Sequence, residues 1–470
     1  MTAASPASAS ASASASHPAT PAASASASHP ATPAASAALH ARTVPLDYGP
    51  DALEFDGSPT VLFDRPGLTL VGWGTALLVP AAEAAAALAT IPCDDEVGTL
   101  GSGPVALGAL PFHDTFAGHL VVPRFTMGTS RDADGVTRRW ATAVGPVDVA
   151  LPSTGELFDA VIWQYGTTPA TQDTADTVAD NGAGLADLST LMSATGYAAM
   201  VKDAVALMAQ PGATLRKVVL SRPIQVHLRG QLALSAALRR LRVGEPNCTI
   251  FSMPVPDGSF FGASPELLVA RHGSRVSSHP LAGTVPRGET ARADADAQRG
   301  LAGSAKNRAE HRFVVEDIAA ALKPFCAKLS VPPAPSVVAF RSVAHLGTRI
   351  EGQLTGTEPT GVLALLRQLH PTPAVGGTPR AEALAFIAAH EAGERGHWAG
   401  PVGWVGANGD GEWMIGIRSA ELDPEEATLR LRAGGGIVAD SDPEAEAIEA
   451  DVKLATVLDA VLPGASVQLR

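Results

Sequence analysis

Lysine is scarce in this chain: six stand against 28 arginines, so a lysine here is not routine surface filler. Cysteine is scarcer. Cys93, Cys248 and Cys326 lie far apart, with neither metal-ligand spacing nor a disulfide framework, which fits a reducing cytoplasm. No run of about 18 apolar residues occurs, so no transmembrane helix is expected. No Gly-Lys-Ser/Thr phosphate loop and no dinucleotide fingerprint follow the glycines. Positive charge is in deficit too. The net charge of −13 argues against a nucleic-acid binder, and an anionic substrate would need a local positive site. Apolar residues are not lacking. They make up 46% of the 470 residues, enough for a sizeable core, although alanine inflates the figure.

Residues 1–42 differ in kind. "HPATPAASASAS" begins at His17, and its first residues recur at His29 as "HPATPAASA". This Ala/Ser/Pro tract has no large apolar side chains to bury and is expected to be a disordered tail. It has no basic start and no apolar h-region, and its first arginine is Arg42, so neither a secretory signal nor a transit peptide is expected. From 43 to 470, apolar strand-like runs such as "LTLVGWGTALLV" interleave with helix-like runs such as "AEHRFVVEDIAAAL". The pattern predicts one large mixed α/β (α+β) domain.

The stretch "LRKVVLSRPIQV" (Leu215–Val226) predicts a strand with Lys217, Val219 and Ser221 on one face and Val218 and Leu220 on the other. A buried lysine can shed its proton, because burial disfavours the charged form, and could then act as a base. A lysine at a strand end can equally snorkel to water. In "SAKNRAEHRFVVEDIAAAL", Phe313, Val314, Ile318 and Leu322 recur at helical spacing, and Glu310 sits beside that stripe. It is either a cation-seeking carboxylate or a solvated flank.

In "DSDPEAEAIEADVKLATVL", Ser441 and Glu444 read as a capping box with Pro443 in the first turn. Glu446, Glu449 and Lys453 then fall on one helical face. Glu449 and Lys453 are either a surface pair, or Glu449 converges with Glu310 as oxygen ligands that would suit Mg²⁺. "LRAGGGIVADSD" places Gly434, Gly435 and Gly436 after a strand, as a tight turn or as a loop whose amides bind an anion. The Ser264-Pro265 step precedes an apolar strand entered by Glu266, where a raised pKa would suit a general acid. Arg418 follows Ile415 and Ile417 in an alternating strand and suits a carboxylate clamp.

In this order "KVVLSR", "GASPELL", "HPLAGTVPRG", "AKNRAEH", "LHPTPAVGGTP", "GPVGWVGANGDGEW", "IRSAEL", "AGGGIV" and "EADVKLATVL" resemble the chorismate-utilising enzymes, and within them the isochorismate synthases. "GALPF" at Gly108–Phe112 is a weaker match, and the resemblance runs from about Phe55 to the C-terminus. It implies a single domain in which two β-rich halves sandwich the active site, with helices outside. It implies Mg²⁺-dependent isomerisation of chorismate. Lys217 would be the general base activating water for attack at ring carbon 2, and Glu266 the general acid protonating the departing 4-hydroxyl. Glu310, Glu449 and Glu446 would bind Mg²⁺. Arg418, Lys453 and the amides of Gly434, Gly435 and Gly436 would hold the enolpyruvyl carboxylate and nearby oxygens. Ala282, Gly283, Thr284, His345 and Ala374 would complete the substrate contacts. The resemblance further implies a cytoplasmic monomer with no glutaminase subunit, feeding siderophore, salicylate or menaquinone biosynthesis.

Within the family, "PLAGT" carries Ala282 where aminodeoxychorismate synthases have a lysine, and anthranilate synthases lack the base that Lys217 would supply. Salicylate synthases share both proposed catalytic groups and then eliminate pyruvate, so they are the nearest alternative. A non-catalytic chorismate-binding protein is another. Two places depart from the pattern: Asn307 stands where many relatives have an acid, and "HEAGERGHWAG" replaces an "EPFDR"-like stretch.

Overall fold

Short apolar runs broken by Gly, Pro and Asp turns favour strands over long helices. The computed structural model describes residues 38–47, 59–132, 134–151, 184–356 and 360–463. In these, 20 strands join into one hydrogen-bonded sheet system and three more form a small separate sheet. Eight α-helices accompany them among the described residues. The pairing is antiparallel throughout, except where Leu39–Pro45 runs parallel to Cys93–Asp95. The sheet knits early and late sequence together. Pro401–Gly406 pairs with Val105–Ala109, and Thr249–Val255 pairs with Val61–Arg65. All described residues therefore belong to one compact unit, Ala37–Arg470.

The boundary expected at residue 42 moves. The strand Leu39–Pro45 already begins at Leu39, because the whole segment pairs along Thr137–Pro146. The Ala/Ser/Pro tract before residue 38 lies outside the described residues.

Two apolar clusters anchor the helices that carry the expected site residues. Helix Ala305–Leu322 buries Val314, Ile318 and Leu322 against Val269, Val276 and Trp413. Helix Pro443–Val461 buries Leu454, Val457, Leu458 and Val461 against Ile224, Val226, Leu429 and Leu431. Each such aliphatic side chain contributes about 2 kcal/mol when buried, which holds both helices firmly on the sheet. The N-cap of the second helix is Asp442, whose side chain accepts Ala445 N–H, not Ser441 as the capping-box spacing suggested. Pro443 does occupy the first turn.

Candidate active site

Lys217 opens the strand Lys217–Arg229, which pairs with Thr428–Ile437 from Val218 to His227. Both faces of that strand are buried. Val218 and Leu220 pack on Tyr197, Met200 and Val201, while Val219, on the lysine's face, lines a cavity of 410 Å³. Lys217 is 1% exposed, so it does not snorkel to water. Its Nζ lies 3.0 Å from Glu310 Oε1. Glu310 sits on the buried stripe of helix Ala305–Leu322, one turn before Val314, and is not a solvated flank.

Glu266 lies between the strands Gly258–Ser264 and Leu267–His272, one residue before the strand the sequence pattern would have it enter. Its backbone is fixed at both ends. Its N–H donates to Ser264 Oγ at 3.3 Å, and its carbonyl accepts Ile415 N–H at 3.0 Å. Burial pushes its carboxyl up to about 7, against an opposing hydrogen bond from the Leu281 backbone and the charges of Lys217, Lys453 and Arg418. A carboxyl that titrates near neutrality can hold a proton at working pH and still release it.

Arg418 follows Gly411–Ile415 in a left-handed backbone conformation, φ 50°, rather than continuing the strand. That turn aims its guanidinium into the cavity's wall. It donates to His345 Nε2 at 2.8 Å, lies 3.8 Å from Glu245 Oε2 and stacks 4.7 Å over Phe340. Burial, then the Arg418 charge, holds the His345 imidazole well below the usual histidine range. A neutral ring accepting from Arg418 at Nε2 must carry its proton on Nδ1, which faces Thr284 Oγ1 at 3.1 Å. His345 therefore orients Arg418 while it also lines the cavity.

Gly434, Gly435 and Gly436 correct the sequence expectation. They are neither a turn nor a loop but the end of the strand Thr428–Ile437, opposite Ser221, Leu220 and Val219. The Gly435 amide is not free for an anion, because it donates to Tyr197 Oη at 3.2 Å. What the glycines supply is space. A Cβ on Gly436 would lie 2.2 Å from Glu310 Oε1 and 2.6 Å from Lys217 Cε, and one on Gly435 would lie 2.8 Å from Glu446 Oε2.

The acids along this bare strip each face a lysine. Besides the Lys217–Glu310 pair, Lys306 Nζ is 2.9 Å from Glu446 Oε1, and Lys453 Nζ is 2.7 Å from Glu449 Oε1 and 2.8 Å from Gly434 O. Burial, then the charge of Glu449, raises the Glu446 carboxyl. Crowded carboxylates over a strip without side chains are hard oxygen donors whose repulsion a divalent cation would relieve, so the donor chemistry fits Mg²⁺. Among the described residues, though, no three such side chains are already gathered on one point. Glu266, Ala282, Gly283, Thr284, Glu310, His345, Ala374, Arg418, the three glycines, Glu446, Glu449 and Lys453 all line the one cavity, with Lys217 behind Glu310.

A family model described as "Chorismate binding enzyme" matches residues 87–462. The chain belongs to the chorismate-binding enzymes. It is 37% identical to MenF of Mycobacterium tuberculosis over 369 residues, 77% of this chain and 87% of that protein. It is 42% identical to the isochorismate synthase DhbC of Bacillus subtilis over 255 residues, 53% of this chain and 63% of that protein. The solved structure of MenF, the menaquinone-specific isochorismate synthase from Escherichia coli, superposes with a TM-score of 0.74 at 26% identity, covering 90% of this chain and 94% of that one.

Sequence reasoning missed several lining residues of this chorismate-binding enzyme. Lys306, Trp398 and Arg432 face the cavity. Lys306 could have been found from the scarcity of lysine alone, since it stands in "AKNRAEH". Tyr197, whose Oη accepts from Gly435 and donates to Leu220 O at 3.2 Å, left no signal in spacing or motif. No helix among the described residues is long and apolar enough to cross a membrane.

Proposed function

We propose that this chain is an isochorismate synthase acting on chorismate. The observation that carries this reading is one cavity lined by a buried carboxyl that titrates near neutrality and by a fixed cation, with the buried Lys217 directly behind Glu310 of its wall. Water is a poor nucleophile and hydroxide a poor leaving group, so the isomerisation needs a base and an acid together. Lys217 takes a proton from the water that bonds to ring carbon 2. The ring double bond shifts, the bond from carbon 4 to oxygen breaks, and Glu266 gives its proton to the departing hydroxyl. Arg418 and Lys453 offer positive charge to a carboxylate of the dianion, against the chain's charge of −13. Glu310, Glu446 and Glu449 would hold Mg²⁺, which when bound supplies positive charge for a second carboxylate.

Lys217, and Ala282 where a lysine nucleophile would stand, support an enzyme that adds water rather than ammonia and so needs no ammonia-supplying subunit. The three free thiols support a reducing, cytoplasmic setting. The test is to incubate the protein with chorismate and Mg²⁺ and resolve the products. Isochorismate as the sole early product is expected. Salicylate with an equivalent of pyruvate would make the chain a salicylate synthase, and unchanged chorismate would make it a binding protein.

A further inference from the structure

The strand that carries Lys217 has a continuous partner on one side only. On the other side, Gly377–Thr378 covers Val218 and Lys217, and Gly184–Thr190 begins only at Ile224. Gly376 O accepts Val219 N–H at 2.9 Å. Among the described residues, no strand then fills the gap from Val219 to Pro223. Buried backbone groups in such a gap need partners, and two side chains supply them. Glu391 Oε1 accepts Ser221 N–H at 2.8 Å, and Arg395 Nη2 donates to Val219 O at 2.7 Å. Pro223, with no N–H to satisfy, falls in the same stretch.

The two side chains also bind each other, with Arg395 Nε to Glu391 Oε2 at 2.8 Å and Nη2 to Oε1 at 2.5 Å. They are 1% and 2% exposed. Arg395 Nη1 reaches Val375 O at 2.8 Å, and the guanidinium lies 4.5 Å over Phe112 and 5.1 Å over Trp398. Val219, Val375 and Trp398 all line the cavity.

We infer that Glu391 and Arg395 are the positioning pair for Lys217, a side-chain bridge that takes the place of the absent strand and fixes where the base stands. The inference rests on Lys217 acting in turnover. It explains why the pair is built from arginine. A planar fork serves Glu391, Val219 O and Val375 O at once, whereas an ammonium group cannot. The pair makes no hydrogen bond to Arg418 or Lys453, and among the described residues its one ion-pair contact with a cavity-lining cation is Glu391 Oε2 to Arg432 Nη1 at 3.9 Å, so an effect on chorismate binding is measured beside turnover.

A double-mutant cycle of Arg395→Lys with Lys217→Ala tests it, with chorismate consumption and chorismate binding measured for the parent, both single variants and the double. Arg395→Lys should lower kcat by about tenfold or more with KM within about threefold, since a small displacement of a reacting group is costly. The double variant should be no slower than Lys217→Ala alone, because a residue that acts through Lys217 has nothing left to position. Glu391→Gln keeps an acceptor for Ser221 and should show the same pattern more weakly, which guards against a folding failure in Arg395→Lys. Multiplying losses in the double variant would overturn the inference. So would a defect confined to melting temperature, with kcat per folded molecule at the parent level, and so would parent-level turnover in Lys217→Ala. Failure of the isochorismate synthase reading appears elsewhere, as a different product from the parent, and leaves the cycle on chorismate consumption interpretable.

Discussion

Glu266 is the group whose ionisation can be followed most directly. The folded state keeps its proton up to about pH 7, while an unfolded chain releases it near the usual 4.5. Below the lower value both states are protonated and burial carries no charge penalty. Between the two the folded state binds more protons, so stability falls as pH rises, by on the order of 3 kcal/mol once pH passes the folded value. Glu266→Gln removes the titration. Its stability relative to the parent should therefore rise from pH 4.5 to 7 and level off above, as read from paired denaturant curves. A difference independent of pH would mean that the carboxyl is not held protonated. The parent's kcat/KM should fall above about pH 7, as the acid loses its proton. Lys217 and Glu266 were legible because each breaks an apolar strand pattern and stands in a family motif. Glu391 and Arg395 were visible only as part of "HEAGERGHWAG", a departure from the family pattern. That they support a gap in the sheet depends on where other strands stop, which local sequence does not encode.

At the scale of the element, the paired strands Lys217–Arg229 and Thr428–Ile437 form the floor of the site. Three glycines in a row looked like a turn because glycine weakens a strand and is cheap in turns. They remain in a strand because a ten-residue pairing holds the register; at Gly435 and Gly436 the acids and Lys217 occupy the space that a side chain would take, and at Gly434 the Leu220 carbonyl does. Gly436→Ala tests this. Its Cβ would meet the ends of two movable side chains, Glu310 and Lys217, so the fold should survive with a loss of about 1–2 kcal/mol. Those two groups carry the proposed base and metal-holding roles, so on that proposal kcat should fall by about tenfold or more. Parent-level turnover in a folded Gly436→Ala protein would show that the strip need not be bare. The helix carrying Glu310 was legible from periodicity, since Val314, Ile318, Leu322 and the acid are buried as the spacing predicts, although Phe313 is only half-buried and stands off that face. The N-cap of the last helix was misplaced by one residue because Ser441 and Asp442 are both good caps, and tertiary contact decides between them.

For the whole molecule, an acidic protein has gathered three of its six lysines at or just behind one cavity wall, with Lys217, Lys306 and Lys453 each beside an acid. If those acids take Mg²⁺, the cation should raise the melting temperature of the parent, because a ligand that binds only the folded state stabilises it. Glu449→Gln should reduce that rise and increase the Mg²⁺ concentration needed for turnover. Full activity in excess chelator would rule the metal site out. The one-domain architecture was legible from the interleaved apolar runs and the absence of an internal linker. The pairing of early with late strands was not, because partner choice is set by contacts far apart in sequence.

The proposed chemistry stands or falls with Lys217 as a base rather than a structural lysine. Lys217→Ala leaves Arg418, Lys453 and the three acids in place. Chorismate binding and isochorismate formation should be measured together for this variant and the parent. Binding should persist, while isochorismate formation drops by roughly two to four orders of magnitude, the scale of a lost general base. Isochorismate formed at close to the parent rate would contradict the account.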